Sequence, residues 1–234
     1  MMLIGGLQKS TLVDYPGKVA ATVFTLGCNY HCPFCQNPEL VDVKKIKKQP
    51  QIKPEAFFDF LKSRQGLLDG VCLTGGEPLI QPDIFDFIKK IKKQGFLVKL
   101  DTNGSQPAKL KKLFQKNLLD FVAMDIKSSQ ENYSKAVGLK VNLKNIQQSI
   151  DLIRQSGVDY EFRTTTAPGI IDKKEIEKIS QWLQGAKKFA LQQFRTEKTL
   201  DKSWQKVKPY SDEELKEMVK IAQPYFDKVE LRGI

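Results

Sequence analysis

Seven short apolar runs recur along the chain, at residues 19–25, 71–74, 96–101, 121–126, 160–165, 189–194 and 229–231. Several are near-continuous rather than alternating, as parallel strands covered on both faces should be. Segments of helical period lie between them. Pro54 opens one with Phe57, Phe58, Phe60 and Leu61, and Pro82 opens the next with Ile84, Phe85, Ile88 and Ile91. Pro107 begins a third that ends near Asn117. Asn142 caps a fourth carrying Ile146, Ile150 and Ile153, and Asp172 a fifth carrying Ile176, Ile179 and Trp182. Ser211-Asp212-Glu213-Glu214 is a capping box ahead of Leu215, Met218 and Val219. Strand–helix alternation implies an α/β chain with a parallel sheet and right-handed crossovers. Roughly six βα units suggest a partial, TIM-like (β/α)6 barrel, because a full eightfold barrel typically needs ~250 residues. An open doubly wound sheet is the rival. We expect one domain over residues 1–234, with 1–18 a lead-in segment and 19–234 the barrel. Both architectures place reactive groups at the C-terminal ends of strands.

Composition narrows the class. No apolar run approaches the ~18–20 residues of a membrane helix. Residues 1–6 show no basic leader, long apolar segment or cleavage site, so they do not read as a signal peptide, and the cytoplasm is the expected compartment. The 38 Lys and Arg against 27 Asp and Glu give a net charge of +11, which suits nucleic acid or an acidic protein surface. Only five of the basic residues are Arg, and the Lys runs at 44–48, 89–93 and 109–116 sit on or beside amphipathic helices. Solvated helix faces account for them, since Arg is the side chain enriched where bases are read.

Directly after the first run comes Gly27-Cys28-Asn29-Tyr30-His31-Cys32-Pro33-Phe34-Cys35-Gln36-Asn37-Pro38. Three of the four cysteines fall in this C-x3-C-x2-C loop, which is no secreted disulfide framework. Thiolate clusters select zinc or iron–sulfur. Three Cys would leave one iron of a [4Fe–4S] cube without a protein ligand, and an open position is what a catalytic metal site keeps. Zinc bound with His31, the only His, is the rival, but adjacent His31 and Cys32 suit one tetrahedral ion poorly, and zinc-finger spacing is missing. His31 reads as a loop residue. Cys72, inside a run beside Val71 and Leu73, reads as a buried small hydrophobe.

The C-x3-C-x2-C loop after a first strand resembles the radical S-adenosylmethionine (SAM) enzymes. The stretch Ser10-Thr11-Leu12-Val13-Asp14-Tyr15-Pro16-Gly17-Lys18, leading to Phe24 and Gly27-Cys28, resembles the opening of glycyl-radical-enzyme activases. Among these it is most similar to activating proteins of anaerobic ribonucleoside-triphosphate reductase, and the resemblance covers nearly the whole chain. Gln36 departs from relatives that carry His before the Asn.

The remaining strand ends carry polar motifs. Thr74-Gly75-Gly76-Glu77-Pro78 lets backbone approach a ligand, or is a plain turn; by resemblance Gly75, Gly76 and Glu77 belong to the motif that binds the SAM amino group. Asp101-Thr102-Asn103-Gly104 is a cap and turn on its own terms. The resemblance puts Asp101 and Thr102 near the SAM carboxylate, beside a site for a monovalent cation. Asp125 and Lys127 share one strand face, which demands pairing or a ligand; the resemblance makes them SAM contacts. Arg163 has the fork geometry for the SAM carboxylate, and pairing with Asp125 is equally open to it. Gln192 and Gln193 are weaker candidates.

The resemblance implies a radical SAM oxidoreductase with Cys28, Cys32 and Cys35 on a [4Fe–4S] cluster. It would cleave SAM reductively and abstract hydrogen from a glycine of anaerobic ribonucleotide reductase, leaving a glycyl radical. Reduced flavodoxin or ferredoxin would supply the electron. The alternatives are an activase of another glycyl radical enzyme of the pyruvate formate-lyase type, a radical SAM enzyme acting on a small molecule and, remotely, a zinc-dependent nucleic-acid-binding module.

Overall fold

The computed structural model describes residues 2–234. Eight strands form one sheet in sequence order: β1 (Ile4–Thr11), β2 (Ala20–Thr25), β3 (Gly70–Gly75), β4 (Leu97–Thr102), β5 (Phe121–Asp125), β6 (Asp159–Thr166), β7 (Ala186–Gln193) and β8 (Phe226–Arg232). β1 pairs antiparallel with β2 and every later neighbour is parallel. β1 and β8 are the two ends of the order, so the sheet stays open. The helices are α1 (Pro38–Val41), α2 (Val43–Ile46), α3 (Pro54–Lys62), α4 (Ile84–Lys93), α5 (Pro107–Gln115), α6 (Tyr133–Val137), α7 (Leu143–Gln155), α8 (Lys173–Trp182) and α9 (Asp212–Ala222). Six βα units starting at β2, followed by β8, make the partial barrel expected.

The helix signals act as read. The Asn142 side chain accepts from Lys144 N, Asp172 from Glu175 N, and Ser211 and Glu214 form both halves of a capping box. In α4 the buried stripe is Ile84, Phe87, Ile88 and Ile91; Phe85 lies at its edge under Lys112.

The lead-in over 1–18 requires correction, because it contains β1. Ile4-Gly5-Gly6-Leu7 carries two glycines and little strand signal, and pairing with β2 supplies what propensity lacks. Its register runs Ile4↔Thr25, Leu7↔Val23 and Thr11↔Ala20. A Cβ on Gly5 would come within 2.4 Å of Leu26, so the small residue lets the edge strand close down.

Register sorts the faces. Val23, Leu73, Leu100, Val122 and Tyr160 form one lateral row, all buried beneath the helices. The opposite row runs Thr22, Cys72, Lys99 and Phe121. Two residues on from Lys99 is Asp101, and Arg163 follows Glu161 by the same step, so the barrel's inner face is charged. The core therefore sits between sheet and helices, and the interior is left for polar chemistry. Among the described residues, no helix is long and apolar enough to cross a membrane.

Candidate functional site

β2 ends at Thr25 and the chain turns through Gly27, whose φ of 91° suits glycine. Gly27 N donates to Leu40 O at 2.7 Å. The cysteine loop is then pinned from three sides. His31 N donates to Val137 O at 3.0 Å, Asp201 N donates to Pro33 O at 3.0 Å, and Phe34 lies 5.8 Å from Trp204, ring to ring. Cys35 N donates to Cys32 O at 3.0 Å, closing a turn between the second and third thiols.

All four cysteines are free thiols. Burial pushes the Cys28 thiol up to about 12 and Cys32 to about 11, and raises Cys35 too. Buried thiols resist ionising unless a cation joins them, and a metal core is such a cation. Among the described residues, no three His, Cys, Asp or Glu side chains converge as a single metal ion would require. The three thiols of the loop instead line a common cavity of about 310 Å³. Three thiols on one cavity, contributed by one short loop, are a donor set that would hold an iron–sulfur core. The donor set thus suits an iron–sulfur cluster.

The same cavity is lined by all eight residues singled out above for SAM: Gly75, Gly76, Glu77, Asp101, Thr102, Asp125, Lys127 and Arg163. Seven come from the C-terminal ends of β3, β4 and β5 or just beyond them; Arg163, on β6, pairs in register with Asp125 at the end of β5. The two glycines are fixed first by the neighbouring strand. Gly76 N donates to Thr25 O at 2.9 Å, Glu77 N donates to Gly27 O at 2.8 Å, and a Cβ on Gly76 would stand 1.9 Å from Gly27 O.

Glu77 is buried, and its carboxylate accepts from Leu79 N at 3.0 Å, Thr102 Oγ1 at 2.8 Å and Asn103 N at 2.6 Å. It braces the β3 loop to the β4 loop. Burial nonetheless raises it to about 7 against those three donors. Thr102 spends its hydroxyl on Glu77 and on accepting from Gly104 N.

The charged residues form a chain. Lys127 Nζ meets Asp125 Oδ2 at 3.0 Å; Asp125 Oδ1 accepts from Arg163 Nε at 2.9 Å; Arg163 Nη1 reaches Asp101 Oδ2 at 2.9 Å; and Lys99 meets Asp101 Oδ1. Burial opposes charge on both aspartates, but Arg163 with Lys127 on one and Lys99 on the other holds each below the usual carboxylate range. Three cations against two anions leave this chain one positive charge in surplus. The Arg163–Asp125 pair left open by the sequence is made, and the guanidinium bridges both aspartates.

Beside Asp101, where a monovalent cation is expected, Lys99 meets one carboxylate oxygen and Arg163 the other. Lys99 was missed because it sits inside an apolar run, although its step of two from Asp101 was readable. Cys72 is fully buried, 3.6 Å from Lys99 Nζ, and outside the cavity lining. Gln192 lines the cavity; Gln193 donates to Tyr210 O instead. Gln36 lines it as well and donates to Arg195 O at 3.2 Å. Asp14 was missed too. It reaches the cavity from the β1–β2 loop and accepts from Thr22 Oγ1 at 2.6 Å, a placement that no local pattern announces.

A profile of the radical SAM superfamily matches residues 22–183, which spans the strands that build this cavity. The chain belongs to the radical SAM superfamily. Enzymes of this superfamily use a [4Fe–4S] cluster and SAM. A protein of Methanocaldococcus jannaschii named as a glycyl-radical enzyme activating enzyme is 33% identical over 99% of this chain and 96% of its own. The pyruvate formate-lyase-activating enzyme of Clostridium pasteurianum is 30% identical over 74% of this chain and 71% of its own. These likenesses place this radical SAM protein in the glycyl-radical enzyme activating family. In fold it matches SuiB of Streptococcus suis, solved with S-adenosylmethionine, at a TM-score of 0.68 and 13% identity over 89% of this chain. It spans about half, 48%, of SuiB.

Proposed function

We propose that this radical SAM enzyme activates an anaerobic ribonucleoside-triphosphate reductase by installing a glycyl radical in it. In this reading Cys28, Cys32 and Cys35 hold a [4Fe–4S] cluster, and residues 1–234 work as one domain in the cytoplasm. When bound, the reduced cluster and SAM supply a 5′-deoxyadenosyl radical, which takes a hydrogen atom from a glycine Cα of the partner. The protein's part is ligation, orientation and exclusion of water. The surplus positive charge of Lys127, Asp125, Arg163, Asp101 and Lys99 would receive the SAM carboxylate. The close-packed backbone at Gly75 and Gly76 would form the wall that receives its amino group. Glu77 and Thr102 hold that wall rigid, and a rigid supporting shell keeps reacting atoms at attack distance.

The observation that carries the reading is the meeting of three free thiols and four strand-end motifs in one cavity. The named partner rests on the opening segment at residues 10–18, whose Asp14 reaches that cavity. A pyruvate formate-lyase type of partner is the second reading, favoured by the clostridial relative. The test is a comparison of partners. The reconstituted enzyme, reduced with SAM without oxygen, is mixed with a ribonucleotide reductase or a pyruvate formate-lyase. We expect 5′-deoxyadenosine to form and only the reductase to gain activity. Activation of the lyase alone would replace the partner, and turnover of a small molecule without any protein partner would remove the activase reading.

A further inference from the structure

Within the chain of charged side chains, Asp101, Asp125, Lys127 and Arg163 line the cavity and Lys99 does not. The Lys99 side chain is 2% exposed. It lies inside β4, two residues before Asp101, so both point to the barrel interior. Its lateral neighbours in register are Cys72 of β3 and Phe121 of β5. The ammonium stands 3.6 Å from Cys72 Sγ and 5.9 Å from the centre of the Phe121 ring. Burial pushes the Cys72 thiol far up, so it stays neutral and offers no counter-charge. Asp101 is the one carboxylate within ion-pair distance of Lys99 among the described residues. An ammonium buried between a thiol and an aromatic ring is costly, and apolar residues of similar volume often stabilise a fold as well as a buried ion pair does. Packing alone would accept methionine here, so the charge itself needs a reason.

We propose that Lys99 is a positioning residue for the SAM carboxylate, acting through Asp101 on Arg163, an inference that rests on the SAM reading of the cavity above. Arg163 is held between two aspartates, at 2.9 Å from each. Without Lys99 the chain would hold two cations against two anions and carry no net charge. With it, Asp101 is neutralised from beneath, and Arg163 and Lys127 face the cavity opposed by Asp125 alone. Lys99 thus supplies the positive surplus without touching the ligand, from a place where solvent and salt screen little. It also takes Asp101 Oδ1, which leaves Oδ2 to Arg163 Nη1 and fixes the guanidinium from both sides. Support of this kind sets the direction of the group that meets the ligand. Lys99 stands inside an apolar run, where its charge has no local explanation, and acquires one from its place beneath Asp101.

The test measures equilibrium binding of SAM, and of its decarboxylated analogue that lacks the carboxylate, to the anaerobically reconstituted enzyme at matched iron content. We expect Lys99→Met to weaken SAM about tenfold or more and the analogue less than about twofold, since one buried charge is removed and only one ligand carries its counterpart. A second variant combines Lys99→Met with Asp101→Asn. It leaves Lys127 and Arg163 against Asp125 and buries no unpaired ion, so it serves even where the single variant does not fold. It should keep most of the wild-type preference for SAM over the analogue. Equal losses for both ligands in Lys99→Met, as a merely structural role would give, or an undiminished preference for SAM, would overturn the role of Lys99. Loss of the preference in the combined variant would overturn it as well. A wild-type enzyme that binds both ligands alike, or neither, would instead overturn the SAM reading beneath, so the two failures are distinguishable.

Discussion

At the scale of residues, the four cysteines divide by environment. Cys28, Cys32 and Cys35 share a cavity, whereas Cys72 is sealed beside Lys99 and Asp101. Alanine at any of the first three should abolish stable iron binding on anaerobic reconstitution, measured as iron content and visible absorption. Cys72→Ala should keep the cluster and lose only packing, about 1–2 kcal/mol by the scale of small core truncations. Cluster loss in Cys72→Ala with retention in Cys32→Ala would refute the assignment. Lys127 answers a different question. It ends the charged chain on the cavity side and leaves Asp125 a second partner in Arg163. Lys127→Met should therefore fold and bind iron yet weaken SAM binding about tenfold or more, since hydrogen bonds to charged groups contribute ~1.5–3 kcal/mol. Equilibrium binding on the reconstituted variant checks this after its folding is verified. Unchanged SAM affinity would make Lys127 a partner of Asp125 only.

At the scale of elements, β8 is an edge strand tied inward by charge. Arg232 grips Glu161 of β6 across β7 with bonds of 2.8 and 2.7 Å, and Lys188 of β7 stands 3.4 Å from the same carboxylate. Burial opposes the Glu161 charge, but Arg232, with help from Arg163 and Lys99, holds it below the usual carboxylate range. A lowered folded value means stability that is fully present above the unfolded carboxylate value of ~4.3 and drains away as pH falls through the folded one. Glu161→Gln should cost about 2 kcal/mol near neutral pH, below the usual loss for a buried pair because Arg232 is 31% exposed. Its urea midpoint should also fall less than wild type's between pH 5 and 3, a range set by ~4.3 as the unfolded value. An equal acid dependence would show that Glu161 stays protonated or unpaired in the fold. The parallel strands and the six helices α3, α4, α5, α7, α8 and α9 were legible because each helix carries its own apolar period and a proline or a capping side chain at or just before its start, whereas the short α1, α2 and α6 carry too few turns for a period. β1 was not, because Gly5 and Gly6 hide it and only β2 makes it a strand. The charged chain was half legible: Asp125 and Lys127 declared themselves by a step of two, but the Arg163 bridge to Asp101 joins residues 62 positions apart. Asp14 was illegible for the same reason, arriving from a loop at the other end of β2.

At the scale of the whole molecule, the open sheet divides the surfaces by task. The interior pairs most of its charge and keeps one positive charge in surplus, while the rest of the excess that gives +11 lies chiefly on Lys-rich helices outside. Because β1 and β8 do not meet, the barrel has a lateral gap that a full ring would lack. Hydrogen transfer demands near contact between the reacting carbons, so a glycine held in a protein loop needs such an approach. The most direct test is electron paramagnetic resonance on the reduced enzyme, SAM and anaerobic ribonucleotide reductase, mixed without oxygen. We expect a doublet that collapses when the partner's glycine carries deuterium at Cα. Normal SAM cleavage with no glycyl doublet in any glycyl radical enzyme offered would contradict the activase function.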